Sequence, residues 1–461
     1  MNARAMDERV RTRVSAVQKL GVLGMLLSLM SACDDQMSVG KDPEVCNAVS
    51  SSTCSSSITL SADYVGVSAH ATSTLMPTWK TSLPSGFSSF VAPAKDGGLW
   101  LLGSAADGLV VQHLSAAGEL GPRNVLPSPA GSLGSAAPVV SIEAVTPDAR
   151  GPLVLVTWFQ FGDRDCSVLT SVRAADSAVC FRKSELVVLN VDDVGRSQRV
   201  ERADGACQAP GAVYRSLDGA SVTVLGRVEL CQMQLTGELN WSRRLPADLS
   251  IVASAPLDAD RVIFASFRQH AADGTSAPPN TLALSVLPPD GDYDERVIDR
   301  ANALFYPRTV ILPGLVPGQY SVVLDRWTPG GATGDLSVAR FEGRELKTEQ
   351  VLVREDYTDL SVVSASTDAA ATVYIATGIG IRDLSDTTDY RSIRYTPVLC
   401  RVPLGGPLAC YETPLVWGGQ PWTGVDGRTL QATSPHVVYS VFGGSITDLG
   451  DTYEVSRYDL P

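Results

Sequence analysis

Ala212-Val-Tyr-Arg-Ser-Leu-Asp218-Gly-Ala-Ser-Val222-Thr-Val-Leu-Gly226, continuing through Leu230-Cys-Gln-Met-Gln-Leu235 to Gly237-Glu-Leu239, is the stretch that decides the fold. It reads as strand, Asp-Gly turn, strand, short turn, strand, Gly-Glu turn, strand. Asp-Gly suits a tight hairpin because glycine accepts the positive φ such turns require. The same order occurs upstream. Phe90-Val-Ala-Pro-Ala-Lys leads to Asp96-Gly-Gly, Leu99-Trp-Leu-Leu-Gly103, Leu109-Val-Val-Gln-His-Leu114 and Gly118-Glu-Leu120. A four-stranded meander repeated at roughly 40–60 residues is the signature of a β-propeller blade.

Weaker copies run over Val139 to Val200, Val252 to Asp299, Thr309 to Val353 and Leu360 to Pro414. These are short Val/Ile/Leu/Tyr runs punctuated by Gly, Asp and Pro, without amphipathic helices between them, which is an all-β texture. Six blades of four strands follow. A seventh, at Gly427 to Thr433, Val437 to Phe442 and Thr452 to Asp459, has only three strands before the chain ends. Pro77-Thr-Trp-Lys-Thr-Ser-Leu-Pro84 resembles Asn240-Trp-Ser-Arg-Arg-Leu-Pro246, a fourth strand elsewhere in the chain. A sheet edge left open at the seam of a ring is a liability, so residues 77–84 are expected to complete the seventh blade. The fold class is therefore an all-β, seven-bladed propeller closed by its N- and C-terminal strands, with six or eight blades as the neighbouring counts.

Upstream of the repeats, Arg4, Arg9, Arg11, Arg13 and Lys19 precede the apolar run Leu20 to Met30, then Ser31-Ala32-Cys33. A basic region, a short apolar core and small residues before a cut form a secretory signal. The run is too short to span a membrane, which takes roughly 20 apolar residues. Met30-Ser31-Ala32-Cys33 resembles the lipobox of bacterial lipoproteins. The resemblance implies cleavage before Cys33, acylation of its thiol and attachment to the membrane through that lipid alone; an ordinary signal peptide is the competing reading. Residues 1–32 are then a leader, 33–57 a polar Ser-rich tether, and 58–461 the propeller domain. The implied location is the cell envelope, with the outer membrane favoured over the periplasmic face of the inner one. Asp34, however, resembles the inner-membrane retention signal of enteric bacteria.

The leader carries five basic and two acidic side chains, so its removal takes the formal net charge from −13 to −16. An acidic, lysine-poor chain argues against nucleic acid as a partner. With Cys33 set aside, Cys46, Cys54, Cys166, Cys180, Cys207, Cys231, Cys400 and Cys410 remain. An even set in an exported chain reads as a disulfide framework. About a hundred connectivities are open to eight cysteines. The eight fall into four sequence-local couples, 46–54, 166–180, 207–231 and 400–410, and this pairing, which closes only short loops, fits the blade map.

No catalytic motif is present: there is no H-E-x-x-H, G-x-S-x-G or P-loop pattern. The four histidines, His70, His113, His270 and His436, are too dispersed to form a cluster by local spacing. His113 and His436 fall in or beside strands, where a structural hydrogen bond is expected. Asp290-Gly-Asp292-Tyr-Asp294-Glu295 begins like a calcium loop, but Glu295 stands where such a loop needs glycine and Ala301 where it needs glutamate. No metal and no cofactor is expected. Thr236-Gly-Glu-Leu-Asn-Trp241 resembles the blade-end motif of quinoprotein-like propellers, close in architecture to WD40-like ones. There the tryptophan docks against the next blade, and Trp79 and Trp241 are expected to do so here.

The connections offer one asymmetry. First-to-second turns are mostly short. Second-to-third connections are long at Phe159 to Lys183, Arg268 to Asn280, Thr328 to Gly334, Gly378 to Arg391 and Gly443 to Gly450. In a meander propeller these share a face with the between-blade connections. They include Phe161, Arg164, Trp327, Arg382 and Tyr390, residue types that dominate contact energies. These five are the candidate binding face. The function expected is an envelope-anchored binding or scaffold protein with a protein or polysaccharide partner. The alternatives are a hydrolase or lyase acting on envelope or extracellular polymers, and a structural or adhesive surface component.

Overall fold

In the computed structural model the chain divides into two units, Met1–Cys54 and Ser55–Pro461. The residues described, all in the second unit, are 56–59, 67–68, 73–83, 87–105, 108–128, 139–146, 152–161, 179–190, 196–201, 210–215, 221–226, 229–245, 249–258, 261–268, 281–287, 294–299, 309–327, 334–353, 360–381, 394–413, 429–446 and 450–461. Cys33 and the tether cysteines Cys46 and Cys54 lie outside them.

Four short strands come first: β1 (Ser56–Thr59), β2 (Val67–Ser68), β3 (Ser73–Thr74) and β4 (Trp79–Leu83). Blade 1 is β5 (Phe87–Pro93), β6 (Leu99–Ala105), β7 (Gly108–Leu114) and β8 (Leu120–Pro127). Blade 2 is β9 (Val139–Thr146), β10 (Leu153–Phe161), β11 (Val179–Val188) and β12 (Gln198–Glu201). Blade 3 is β13 (Pro210–Arg215), β14 (Ser221–Gly226), β15 (Glu229–Gln234) and β16 (Leu239–Arg244). Blade 4 is β17 (Leu249–Pro256), β18 (Val262–Arg268), β19 (Thr281–Leu287) and β20 (Asp294–Asp299). Blade 5 is β21 (Thr309–Pro313), β22 (Gln319–Trp327), β23 (Gly334–Glu342) and β24 (Glu345–Val353). Blade 6 is β25 (Leu360–Thr367), β26 (Val373–Ile381), β27 (Arg394–Val402) and β28 (Ala409–Glu412). Blade 7 is β29 (Thr429–Ser434), β30 (Val437–Ile446) and β31 (Gly450–Asp459), completed by β4.

Each blade is an antiparallel meander, and the first strands of successive blades touch around a closed ring, β29 returning to β5. The expected seam is present. β4 pairs antiparallel with β31, Trp79 opposite Arg457 and Leu83 opposite Tyr453.

Blade stacking explains the unbroken apolar runs of the second and third strands. Successive side chains on a strand point to opposite faces, and here both faces are covered. On β10, Leu153 and Leu155 pack toward blade 3 while Val154, Val156 and Trp158 pack toward blade 1. On β30, Val438 joins the cluster shared with blade 6, and Tyr439 and Val441 the cluster shared with blade 1. Among the described residues the core is a set of interfaces, one apolar cluster per seam. Cys400 and Cys410 stand opposite one another on β27 and β28 and form the expected disulfide.

The sequence reading did not anticipate the path of β1–β3. They add a parallel fifth strand to blades 4, 5 and 6 respectively. β1 begins at Ser56, so pairing starts inside the stretch read as tether.

Candidate binding face

In every blade the first strand runs toward one face of the ring and the second strand returns to the other. The second strands therefore all end on a common face, and the second-to-third connections all begin there. In blades 2, 4, 5 and 6 the last rungs beneath them are Phe161 opposite Val179, Arg268 opposite Thr281, Trp327 opposite Gly334 and Ile381 opposite Arg394. In blade 7 the expected long connection is mostly strand, since β30 and β31 stay paired to Ile446 opposite Gly450 and leave only residues 447–449 between them. Fourth strands end on this face too, so the between-blade connections join it.

Of the five candidate residues, Phe161 and Trp327 sit at this rim, on blades 2 and 5. Arg164, Arg382 and Tyr390 lie outside the described residues. So do Cys166, Cys207, His70, His270 and residues 290–293 of the Asp290–Glu295 acidic run. Cys180 falls at a bulge in β11, where pairing passes from Phe181 to Val179. Cys231 is buried and disulfide-bonded, its partner outside the described residues. Among the described residues no group of His, Cys, Asp and Glu is arranged to hold a metal.

Among the described residues the opposite face carries the short turns at 94–98, 115–119, 235–238, 314–318, 343–344 and 435–436, and polar ties cross the seams there. Trp79 Nε1 donates to Ala116 O of blade 1 at 2.9 Å, and Thr81 Oγ1 to Gly118 O at 2.9 Å. The Trp79 ring lies over Gly118, whose φ is +87°; a Cβ at that position would stand 2.8 Å from the ring. The Gly-Glu turn of the repeat thus has a second use, as the seat of the docking tryptophan. Trp241 packs partly buried in the cluster shared by blades 3 and 4, its Nε1 donating to Gln232 Oε1 at 3.1 Å.

Two tyrosines on second strands repeat one device. Tyr439 donates its hydroxyl to Gly97 O of blade 1 at 2.6 Å. Tyr374 places its hydroxyl between Pro435 O of blade 7, at 2.6 Å, and Asp368 Oδ2 of its own blade, at 2.8 Å. Burial raises the pKa of both phenols. Between blades 4 and 5 Gly318 N donates to Leu257 O at 2.8 Å, and between blades 5 and 6 Arg340 donates to Val402 O at 2.8 Å.

Blade 2 holds a buried ionic tie. Glu185, fully buried, accepts from Trp158 Nε1 and from Arg199 Nη1, both at 2.7 Å; Arg199 also lies over the Trp158 ring and reaches Pro127 O of blade 1. His113 Nε2 meets Asp96 Oδ1 at 3.2 Å, and His436 Nδ1 meets Leu460 O at 3.2 Å, the structural roles expected of both. Burial alone would raise the Asp96 pKa. The Gly98 N–H and the His113 ring outweigh it and hold that carboxyl below its ordinary value.

Of the tying residues, Tyr374, Tyr439, Arg340, Glu185 and Arg199 were missed from sequence. The one available signal was tyrosine within otherwise aliphatic second strands, as in Val373-Tyr-Ile375 and Val438-Tyr-Ser440.

No protein-family model matches the chain, and no curated protein matches it. Similar solved structures include a protein of unknown function from Dyadobacter fermentans, at 10% identity and TM-score 0.40, covering 84% of this chain and 99% of that one. The phage phi92 endosialidase is similar at 9% identity and TM-score 0.40, over 83% of this chain and 69% of that one. Drosophila plexin A, solved with semaphorin 1b, is similar at 8% identity and TM-score 0.42, over 83% and 87%. Likenesses this distant bear on neither ligand nor activity.

Proposed function

We propose that the protein is a cell-envelope lipoprotein, anchored through Cys33, whose propeller binds a protein or polysaccharide of the envelope through the face of long connections. The observation that carries the reading is the asymmetry of the ring. Among the described residues one face carries short turns tied across the seams, while the long connections of blades 2, 4 and 6 start from the other. A rigid scaffold that presents variable connections on one side is the usual arrangement of a binding module. Phe161 and Trp327 at the rim, with Arg164, Arg382 and Tyr390 in the connections, supply the aromatic and arginine anchors that such contacts favour. The lipid is the only membrane attachment in this reading, and the outer membrane its favoured location.

Two measurements test the two halves. Cys33→Ser should abolish metabolic labelling by a fatty acid and move the protein from the membrane to the soluble fraction; undiminished labelling would refute the anchor. Cross-linking in intact envelopes, followed by pull-down, should recover the same partner with wild type and with short-turn variants. It should lose that partner on combined substitution of Trp327, Arg382 and Tyr390 by alanine. Retention of the partner in that triple variant would refute the assignment of the face.

A further inference from the structure

The first strands of the domain follow an order around the rim. β1 lies along β20 of blade 4 and β2 along β24 of blade 5; β3 then lies along β28 of blade 6, and β4 along β31 of blade 7. The chain therefore meets three blade edges in sequence before reaching the strand that closes the ring. The four contacts differ in kind. β1 pairs through Ser56–Thr59 with Arg296–Asp299, β2 through Val67–Ser68 with Leu352–Val353, and β3 through Ser73–Thr74 with Tyr411–Glu412, all parallel. Parallel pairing is slightly less stable per residue than antiparallel, and two-residue bridges fix little for the backbone entropy they cost. β4 is antiparallel over Trp79–Leu83, buries Leu83, and is pinned by Trp79 to Ala116 O and by Thr81 to Gly118 O on blade 1.

We propose that β1, β2 and β3 together form a peelable strap, in series with the ring-closing strand, that yields blade by blade when the N-terminus is loaded or locally released. β1 runs parallel to β20 and enters from the short-turn face, so a pull from the N-terminal side opens the Ser56–Arg296 end first and unzips one rung at a time. β2 and β3 follow. The load reaches Trp79 only after all three have let go, and blades 4, 5 and 6 keep their own four strands throughout. The strap gives the closure slack that a direct connection from residue 55 to β4 would lack. The device acts on any load at the N-terminus and does not require a lipid on Cys33, so it stands or falls apart from the proposed function.

The test is single-molecule pulling of the full chain between handles at residue 34 and at the C-terminus, with hydrogen exchange of the same chain as a second readout. Small low-force steps that together release residues 56–76 should precede one large step in which the ring opens. A variant lacking residues 56–74 should lose the small steps and keep the large one. Amides of 56–59, 67–68 and 73–74 should exchange at least about 100-fold faster than those of 79–83, since strands that open locally exchange ahead of the global unit. A single rupture without early steps would overturn the proposal, as would early steps that survive the deletion. Equal protection of 56–59 and 79–83 would overturn it as well.

Discussion

The two faces of the ring are made from the same repeat and put to different ends. On the short-turn face, the turns 94–98 and 115–119 bring backbone carbonyls to the seam, where Tyr439, Trp79 and Arg457 reach them from the neighbouring blade, and in the turn 314–318 Gly318 N donates to Leu257 O of blade 4. On the other face, the strands flanking 382–393 stay paired to Ile381 opposite Arg394, and those flanking 162–178 pair to Phe161 opposite Val179 past a bulge at Cys180. The lesson concerns where variation is tolerated. A blade is specified by its buried second and third strands and by its ties to neighbours. What happens beyond the rungs at Phe161 and Trp327 is left to function.

The comparison breaks most visibly at the seam. Deleting residues 77–84 opens the ring between blades 7 and 1 and exposes two sheet edges. Differential scanning calorimetry should show loss of the cooperative transition or a fall of more than about 10 °C, given that ~1 kcal/mol corresponds to only a few degrees in domains of this kind. Deleting 382–393 and bridging the gap with a short Gly-Ser linker should move the transition by no more than about 3 °C by the same conversion.

The repeat, the blade boundaries and the shared strand were legible in the sequence because each has a local signature. Asp-Gly and Gly-Glu turns mark the hairpins, and Trp79 and Trp241 occupy equivalent places in two fourth strands. Three things were not legible. The fifth strands β1–β3 carry two to four ordinary residues each, and no pattern in Ser-Ser-Ile-Thr or Val-Ser announces an edge 240 or more residues away. The inter-blade ties depend on which way Tyr374, Arg340 and Glu185 face, which a run of strand residues does not reveal when both faces are buried. The candidate binding residues were chosen by type and connection length, and the fold places two of the five, Phe161 and Trp327, on the expected rim.

A buried charge sharpens the contrast next. Arg199→Met leaves Glu185 without its cation in a fully buried site, and breaking a buried pair from one side costs about 3–5 kcal/mol. Arg164→Met, in a long connection, should stay within about 0.5 kcal/mol, the usual range for surface changes. Urea unfolding of both variants decides it. If Arg164→Met cost as much as Arg199→Met, the long connections would not be independent of the blades beneath them.

Smaller effects follow from the tyrosine ties. Tyr439→Phe removes the donor to Gly97 O and should cost about 1–2 kcal/mol. With burial raising both phenol pKa values above the ordinary 10.0, the folded state holds them neutral. Their contribution is fully present below pH 10 and is lost as pH rises toward the folded values, so Tyr374→Phe combined with Tyr439→Phe should flatten the alkaline loss of stability. The smallest effect lies on the acid side. Against the opposing pull of burial, hydrogen bonds hold Asp96 and Asp459 below the usual carboxylate value. Their contribution is present above that value and fades as pH falls through the folded pKa, so Asp459→Asn should narrow the stability loss below about pH 4.

The most direct test of the central claim places a photo-crosslinking amino acid at single positions on each face of the intact protein in cells. Positions 164, 327, 382 and 390 represent the long connections; positions 95, 345 and 404 represent the short turns. A discrete cross-linked adduct of constant mass is expected from at least two of the first group and none from the second. Adducts from 95, 345 or 404, with the long-connection positions silent, would contradict the claim.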